Sequence, residues 1–195
     1  MLRVHHFEPA SRVNGPGLRC VLWVQGCGLA CPGCFNPETH DFTGGQLLTV
    51  DEVMEQIQAA QTHASGQIEG LTISGGEPVV QHRALAGLLR KVRAQTQLSV
   101  LVFTGYAPDE LRKIKPAAPF LRQIDVLVAG RYDASRRQAS SLIGSSNKEV
   151  IFLTNRYSPA NLAQVPEAEV ILSPDGEILL SGIDPLLWHD DSGPR

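Results

Sequence analysis

The chain has 195 residues and a formal net charge of −3, which is enough for one medium domain and excludes the global basic footprint of a nucleic-acid binder. A composition of 43% apolar and 19% charged residues reads as soluble and globular. No apolar run approaches the ~18 residues of a membrane helix, and the N-terminal Met1–Ala10 stretch lacks the apolar core of a secretory signal.

Taken in chain order, β-rich apolar runs recur at Leu18–Gln25, Gly70–Ser74, Leu98–Thr104, Ile124–Ala129, Glu149–Thr154 and Glu169–Leu172. Helical segments lie between several of them. Thr49–His63 opens with a Thr49-x-x-Glu52 capping box, and Val50, Val53, Met54 and Ile57 follow at helical spacing. Val79–Arg93 carries Leu85, Leu88, Leu89 and Val92 on one face, and a short helix is expected from Pro108 to Ile114, with Pro108 in its first turn. Alternating strands and helices predict an α/β fold with a parallel sheet. Val170–Leu172 and Ile178–Leu180 flank a turn at Pro174-Asp175-Gly176 and read as a hairpin. Residues 1–182 form one expected domain, and 183–195 a polar C-terminal tail.

The most informative segment is Cys27-Gly-Leu-Ala-Cys31-Pro-Gly-Cys34, a C-x3-C-x2-C loop directly after the first strand. Close-set Cys in such a chain point to metal or redox chemistry in the reducing cytoplasm. Three thiolates can hold three irons of a [4Fe–4S] cube, leaving one iron open. Two other readings stand beside this one. Structural zinc would need Cys20 as fourth ligand, yet strand alternation puts Cys20 with Leu18, Leu22 and Val24 on a core face. A redox pair at Cys31 and Cys34 leaves Cys27 without a role. The second segment is Ser74-Gly75-Gly76-Glu77-Pro78, at the end of the second strand. Its glycines let backbone approach a ligand, and the Glu77 carboxylate can accept from an ammonium group. An ordinary βα turn would use the same residue types.

Other features carry less. Asp125 at a strand start reads as a solvated end. Ser146 and Asn147, before the fifth strand, divide between a site role and turn chemistry. Asn36 is placed to brace the Cys loop. His5 and His6 are adjacent, so on a strand they would point opposite ways. His40 and His82 read as surface residues near the site. Arg131, Arg136 and Arg137, with Lys148 downstream, read as a solvated basic face. No phosphate loop and no complete dinucleotide fingerprint is present.

These motifs together resemble the radical S-adenosylmethionine enzymes. Asn14-Gly15-Pro16-Gly17-Leu18-Arg19, Gln25-Gly26-Cys27, Cys31-Pro32-Gly33-Cys34-Phe35-Asn36-Pro37, Phe103-Thr104-Gly105-Tyr106, Ile124–Gly130 and Gly144-Ser145-Ser146-Asn147 are similar to segments of glycyl-radical-enzyme activases, in particular the anaerobic ribonucleotide reductase type. The resemblance runs from about residue 10 to about residue 155. It implies a partial (β/α) barrel of about six mostly parallel strands with a C-terminal hairpin. It implies a [4Fe–4S] cluster on Cys27, Cys31 and Cys34. S-adenosylmethionine would chelate the open iron, with Gly75, Gly76 and Glu77 at its amino end and Ser74, Thr104 and Asn147 as further contacts. The implied chemistry is one-electron cleavage of the sulfonium to a 5′-deoxyadenosyl radical. That radical would take a hydrogen from a glycine Cα of a partner glycyl-radical enzyme, with reduced flavodoxin or ferredoxin as electron donor and neither nucleic acid nor membrane as partner. The alternatives are a radical enzyme acting on a small molecule or peptide, and a non-catalytic iron–sulfur or zinc redox sensor. Three departures bear on the substrate: Ala129 stands where Asp often precedes Gly, Lys148 where Gln is common, and the hairpin at Ser173–Gly182 lengthens the chain.

Overall fold

A computed structural model describes residues 1–140, 142–172, 176 and 178–183. A seven-stranded sheet runs in the order β3-β1-β2-β4-β5-β6-β9. Its members are β1 (Leu2–Ser11), β2 (Arg19–Val24), β3 (Gln46–Leu48), β4 (Gly70–Gly75), β5 (Ser99–Thr104), β6 (Val126–Ala129) and β9 (Glu149–Phe152). The four central strands β2, β4, β5 and β6 are mutually parallel. The flanking strands β3, β1 and β9 join antiparallel. The sheet is thus α/β with a parallel centre, but the parallel strands are four where the resemblance implies about six, and the run from Glu149 joins antiparallel as an edge strand.

Alternation sorts the side chains of the central strands. Cys20, Leu22, Val24, Leu71, Ile73, Val100 and Val102 face two helices, α1 (Val50–His63) and α2 (His82–Gln95). Val53, Met54 and Ile57 of α1 and Leu85, Leu88, Leu89 and Val92 of α2 complete this core. Each such side chain, fully buried, contributes ~1.5–3 kcal/mol of transfer free energy. The α1 capping box forms as its sequence predicts: Thr49 Oγ1 accepts from Glu52 N, and Glu52 Oε2 accepts from Thr49 N. The segment read as one helix from Val79 is divided. Pro78–Gln81 is a 3-10 turn, because the Glu77 carboxylate accepts from Val79 N and caps it. α2 then starts at His82. Two short helices, α3 (Pro108–Lys113) and α4 (Ala118–Leu121), lead into β6.

The opposite face of the sheet carries a smaller cluster of Leu101, Val126, Val128, Leu142, Leu162 and Val165. It is covered by the β7 (Arg137–Ser140) and β8 (Ile143–Ser145) ribbon and by α5 (Pro159–Leu162). β10 (Ala168–Leu172) and β11 (Ile178–Gly182) pair antiparallel, so the expected hairpin forms; Pro174 and Asp175 of its turn, and residues 184–195, lie outside the described residues. The hairpin is tied to the N-terminal strand. Ser11 Oγ donates to Glu169 Oε1, Arg12 N donates to Glu169 Oε2 (2.9 Å), and Asn14 Nδ2 donates to Ser181 Oγ (3.1 Å).

Two sequence expectations change here. Asp125 is buried, not solvated. Its carboxylate accepts from Val100 N, Arg93 and Thr154 at 2.7–2.8 Å. Burial pushes this carboxyl up, but those hydrogen bonds outweigh burial and hold it below the usual carboxylate range. The strict alternation expected of His5 and His6 is interrupted. The register of β1 against β2 slips between Val4 and His6, and a bulge of this kind resets the alternation. Both rings are exposed on one rim.

Candidate metal and cofactor site

The Cys loop leaves the C-terminal end of β2, where ligand sites gather in parallel sheets. Buried Gln25 organises it. Gln25 Nε2 donates to the carbonyls of Glu38 (3.1 Å) and Asp41 (2.8 Å), and His5 Nδ1 lies 2.9 Å from Gln25 Oε1. Gln81 Nε2 donates to the carbonyls of Arg3 and Gln25. The loop is then closed by Gly26 N donating to Thr39 O, Cys27 N to His40 O, and Cys34 N to Cys31 O. Behind the last Cys, the Phe35 ring packs on Tyr132 (centroids 4.5 Å apart), lies under the Arg137 guanidinium (5.2 Å) and covers Gly144. A Cβ at Gly144 would meet that ring at 2.6 Å. Asn36 braces the loop through its backbone carbonyl, which accepts from Thr39 N and Thr39 Oγ1; its side chain makes no capping bond.

The Gly75-Gly76-Glu77 turn lies against this loop. Gly76 N donates to Val24 O and Glu77 N to Gly26 O. Gly75 has φ +95°, and a Cβ there would sit 2.6 Å from Val24 O; a Cβ at Gly76 would sit 2.5 Å from Gly26 O. Both glycines are therefore required by the approach of two backbones, one of which carries Cys27 on the next residue. Buried Glu77 has its carboxylate fixed by three donors at 2.8 Å: Val79 N and Thr104 Oγ1 on Oε1, and Gly105 N on Oε2. Burial pushes this carboxyl above its ordinary value, and the three hydrogen bonds return part of the shift.

Cys27, Cys31, Cys34, Ser74, Gly75, Gly76, Glu77 and Thr104 all line one cavity of about 680 Å³. Trp23 and Phe103, on the sheet face opposite α1 and α2, line it as well, as do Leu180–Ile183 of the hairpin end. Among the predicted contacts, Thr104 spends its hydroxyl hydrogen on Glu77 and accepts from Tyr106 N, so it reaches the cavity chiefly through Glu77. Asn147 does not line the cavity. Its Nδ2 donates to Arg131 O, and its Oδ1 is buried without a protein partner. His40 lines the cavity, and His82 is half-buried with Nδ1 2.8 Å from Val79 O, so neither is a simple surface residue.

Cys20 is fully buried, donates to Gly70 O at 3.6 Å and has its thiol pushed up by burial to about 12. Buried in the core and absent from the lining of the cavity that holds the other three Cys, it is not placed to supply a fourth thiolate. Cys27 is half-buried; desolvation raises its thiol above the ordinary value, and the carboxylate of Glu77 and the other two Cys add to that. Among the described residues no three His, Cys, Asp or Glu side chains are grouped as ligands of a single ion. Three thiolates that each bind their own iron need no such convergence. The donor set, three soft ligands on one loop, fits an iron–sulfur cluster.

The role of two residues of the site escapes sequence reading. Gln25 is legible only as part of the Gln25-Gly26-Cys27 resemblance and Gln81 in no motif at all; the bracing role of both shows only in the backbone carbonyls they gather. Lys148 lines the cavity rather than a solvated face. Of the basic group around it, Arg131 pairs with Glu110 and Arg136 with Asp133, while Lys148 turns inward.

Residues 13–151 match the family described as 4Fe-4S single cluster domain. The chain is 30% identical over 156 residues to the anaerobic ribonucleoside-triphosphate reductase-activating protein of Salmonella typhi, spanning 77% of this chain and 97% of that protein. It is 35% identical over 150 residues to the protein of the same name from Haemophilus influenzae, spanning 74% and 94%. It is also 35% identical over 114 residues to the pyruvate formate-lyase-activating enzyme of Clostridium pasteurianum, spanning 58% and 48%.

Proposed function

The chain belongs to the 4Fe-4S single-cluster family of radical S-adenosylmethionine activating enzymes, and from that premise we propose that it installs a glycyl radical on a partner of the anaerobic ribonucleotide reductase type. When bound, the reduced cluster and S-adenosylmethionine would supply the chemistry, a one-electron cleavage of the sulfonium yielding a radical able to take a hydrogen atom from a glycine Cα of the partner. Cys27, Cys31 and Cys34 would hold three irons of the cluster. Gly75 and Gly76 keep the cofactor turn in backbone contact with the Cys loop, so cluster and cofactor share one frame. The Glu77 carboxylate, immobilised by Val79 N, Thr104 and Gly105 N, receives the ammonium of the cofactor's amino-acid end without having to reorganise. Trp23 and Phe103 give the cavity apolar walls, which limits the water around a reactive carbon radical. Ser74 offers a further polar contact at the cavity wall, and Asn147 an acceptor just outside it. Residues 1–182 act as one domain of partial-barrel form, with 183–195 as its tail, and reduced flavodoxin or ferredoxin delivers the electron.

The observation that carries this reading is the hydrogen bond from Glu77 N to Gly26 O (2.9 Å), which joins the turn to the residue before Cys27. The test is anaerobic reconstitution with iron and sulfide, reduction, and addition of S-adenosylmethionine with an anaerobic ribonucleotide reductase. A glycyl doublet by electron paramagnetic resonance, with 5′-deoxyadenosine, is expected. 5′-Deoxyadenosine without a doublet on any glycyl-radical enzyme tried would redirect the substrate to a small molecule or peptide. Reconstituted protein with zinc and no cluster would overturn the enzyme reading.

A further inference from the structure

We infer that the ammonium of Lys148 is a fixed counter-charge to the cluster, set to make its one-electron reduction easier. This rests on the proposed function and adds a residue that acts on the cluster through the cavity rather than by ligation, so Lys148 is a positioning residue for charge.

Lys148 immediately precedes β9, whose Glu149 stands opposite Ala129 of β6. Because β9 runs antiparallel, its first residues lie at the end of the sheet where the parallel strands finish, beside the Cys loop and the Glu77 turn. The ammonium donates to Gly130 O at 2.6 Å. That carbonyl is neutral and uses one of three N–H donors. Among the described residues Lys148 makes no ion pair, whereas Arg93, Arg131 and Arg136 each have a carboxylate. The charges it does feel are across the cavity: Cys31, Glu77 and Cys34 raise its pKa while burial lowers it. A half-buried ammonium held by a neutral carbonyl, on the same cavity as Cys31, Cys34 and Glu77, is a cation left available for a negative ligand.

Reduction adds one electron, from a low-potential one-electron donor, to a cluster already carrying three thiolates. No proton moves and Lys148 keeps its own. The added charge is stabilised by a cation in a site of low effective dielectric, and net charge near a cluster is one of the factors that sets its potential. Lys148 stands where Gln is common in the activases that this chain resembles. The exchange of a neutral amide for a cation makes the expected direction definite.

The test is a redox titration of the reconstituted full-length protein without S-adenosylmethionine, followed by the reduced-cluster resonance, on wild type, Lys148→Gln, Lys148→Met and Lys148→Arg. At a fixed applied potential the ratio of reduced to oxidised cluster should fall about tenfold in Lys148→Gln and Lys148→Met, a midpoint about 59 mV lower for a one-electron couple. Lys148→Arg should stay within about threefold of wild type. Lys148→Gln retains an N–H donor for Gly130 O, so a shift shared by Gln and Met but not Arg reads charge and not the lost hydrogen bond. Equal midpoints in all four proteins, at equal iron content, would overturn the inference and leave the proposed function standing. A shift in Met alone would also overturn it, assigning Lys148 a structural bond to Gly130. Failure of wild type to assemble any cluster would instead strike the proposed function. If Gln and Met lose the cluster while Arg keeps it, the charge is needed even to hold it, which supports the inference; loss in Arg as well overturns it.

Discussion

The two ends of the parallel sheet handle buried charge in opposite ways. At the N-terminal ends of the strands, Arg19 is fully buried and every part of its guanidinium is engaged. Nε donates to Thr72 Oγ1, one terminal nitrogen to Pro16 O, Ser99 Oγ and Tyr157, and the other to the carbonyls of Leu71 and Ser99. Asp125, at the same end, is likewise saturated. At the C-terminal ends, Lys148 has one neutral partner and Asn147 Oδ1 has none, while Glu77, held by three donors, lines the cavity. Saturated polar networks rigidify a core. Polar groups left short of partners are affordable only where a ligand or solvent completes them. The first end secures the fold, and the second is reserved for chemistry.

Substitutions can break this contrast, and the largest effects are expected at the open end. Cys27→Ala, Cys31→Ala and Cys34→Ala should each abolish S-adenosylmethionine cleavage and lower iron content, read by metal analysis and 5′-deoxyadenosine, while Cys20→Ala keeps both and costs ~1 kcal/mol of stability. Retained cleavage in any of the first three would undo the ligand assignment. Glu77→Gln should weaken cofactor binding more than about tenfold, with iron content kept and a stability loss of no more than ~2 kcal/mol, because its amide nitrogen cannot accept from all three donors. A large stability loss there would mean that this end also holds the fold. Arg19→Met is the converse. It removes a donor from Thr72, Ser99 and three carbonyls in the core and should cost ~3 kcal/mol by urea denaturation, while the folded protein still binds its cofactor.

The smallest effect sharpens the contrast through pH. The Asp125 carboxyl is held below its ordinary value, so its contribution is fully present above the unfolded-state value of ~3.9 and is lost as pH falls through its lower folded value. The gap in urea midpoint between wild type and Asp125→Asn should therefore be widest near neutrality and close in acid. A gap independent of pH would show that shape, not charge, is what Asp125 supplies.

Much of the site was legible because its chemistry is local. The Cys spacing, the Gly75-Gly76-Glu77 turn and the Thr49/Glu52 box each lie within a few residues, and the parallel strands are apolar runs of ordinary length. The rest depended on distant partners. β1 went unread because its slip between Val4 and His6 destroys the period of two, and β3, at three residues, is too short to show one. Asp125 looked like a solvated end because Arg93 and Thr154 lie about thirty residues away on either side of it. Lys148 looked exposed because its direction follows from β9 running antiparallel, a fact of topology that no short window carries. Gly75 and Gly76 read in sequence as room for a ligand, but the close approach is first of all to Val24 and Gly26.

The hydrogen bonds joining Ser11 and Arg12 to Glu169 have a consequence for biosynthesis. They link segments 157–158 residues apart, whereas the bonds that organise the Cys loop and the Glu77 turn reach back no further than the 78 residues between Gln81 and Arg3. Contacts of long separation form late, because the intervening chain must be closed first. On the ribosome the pieces that meet around Cys27 emerge in the first half of translation, and the hairpin that supplies one wall of the cavity emerges last. The side of the cavity that the hairpin closes is therefore the last to be completed, after the segments that meet around Cys27 have emerged.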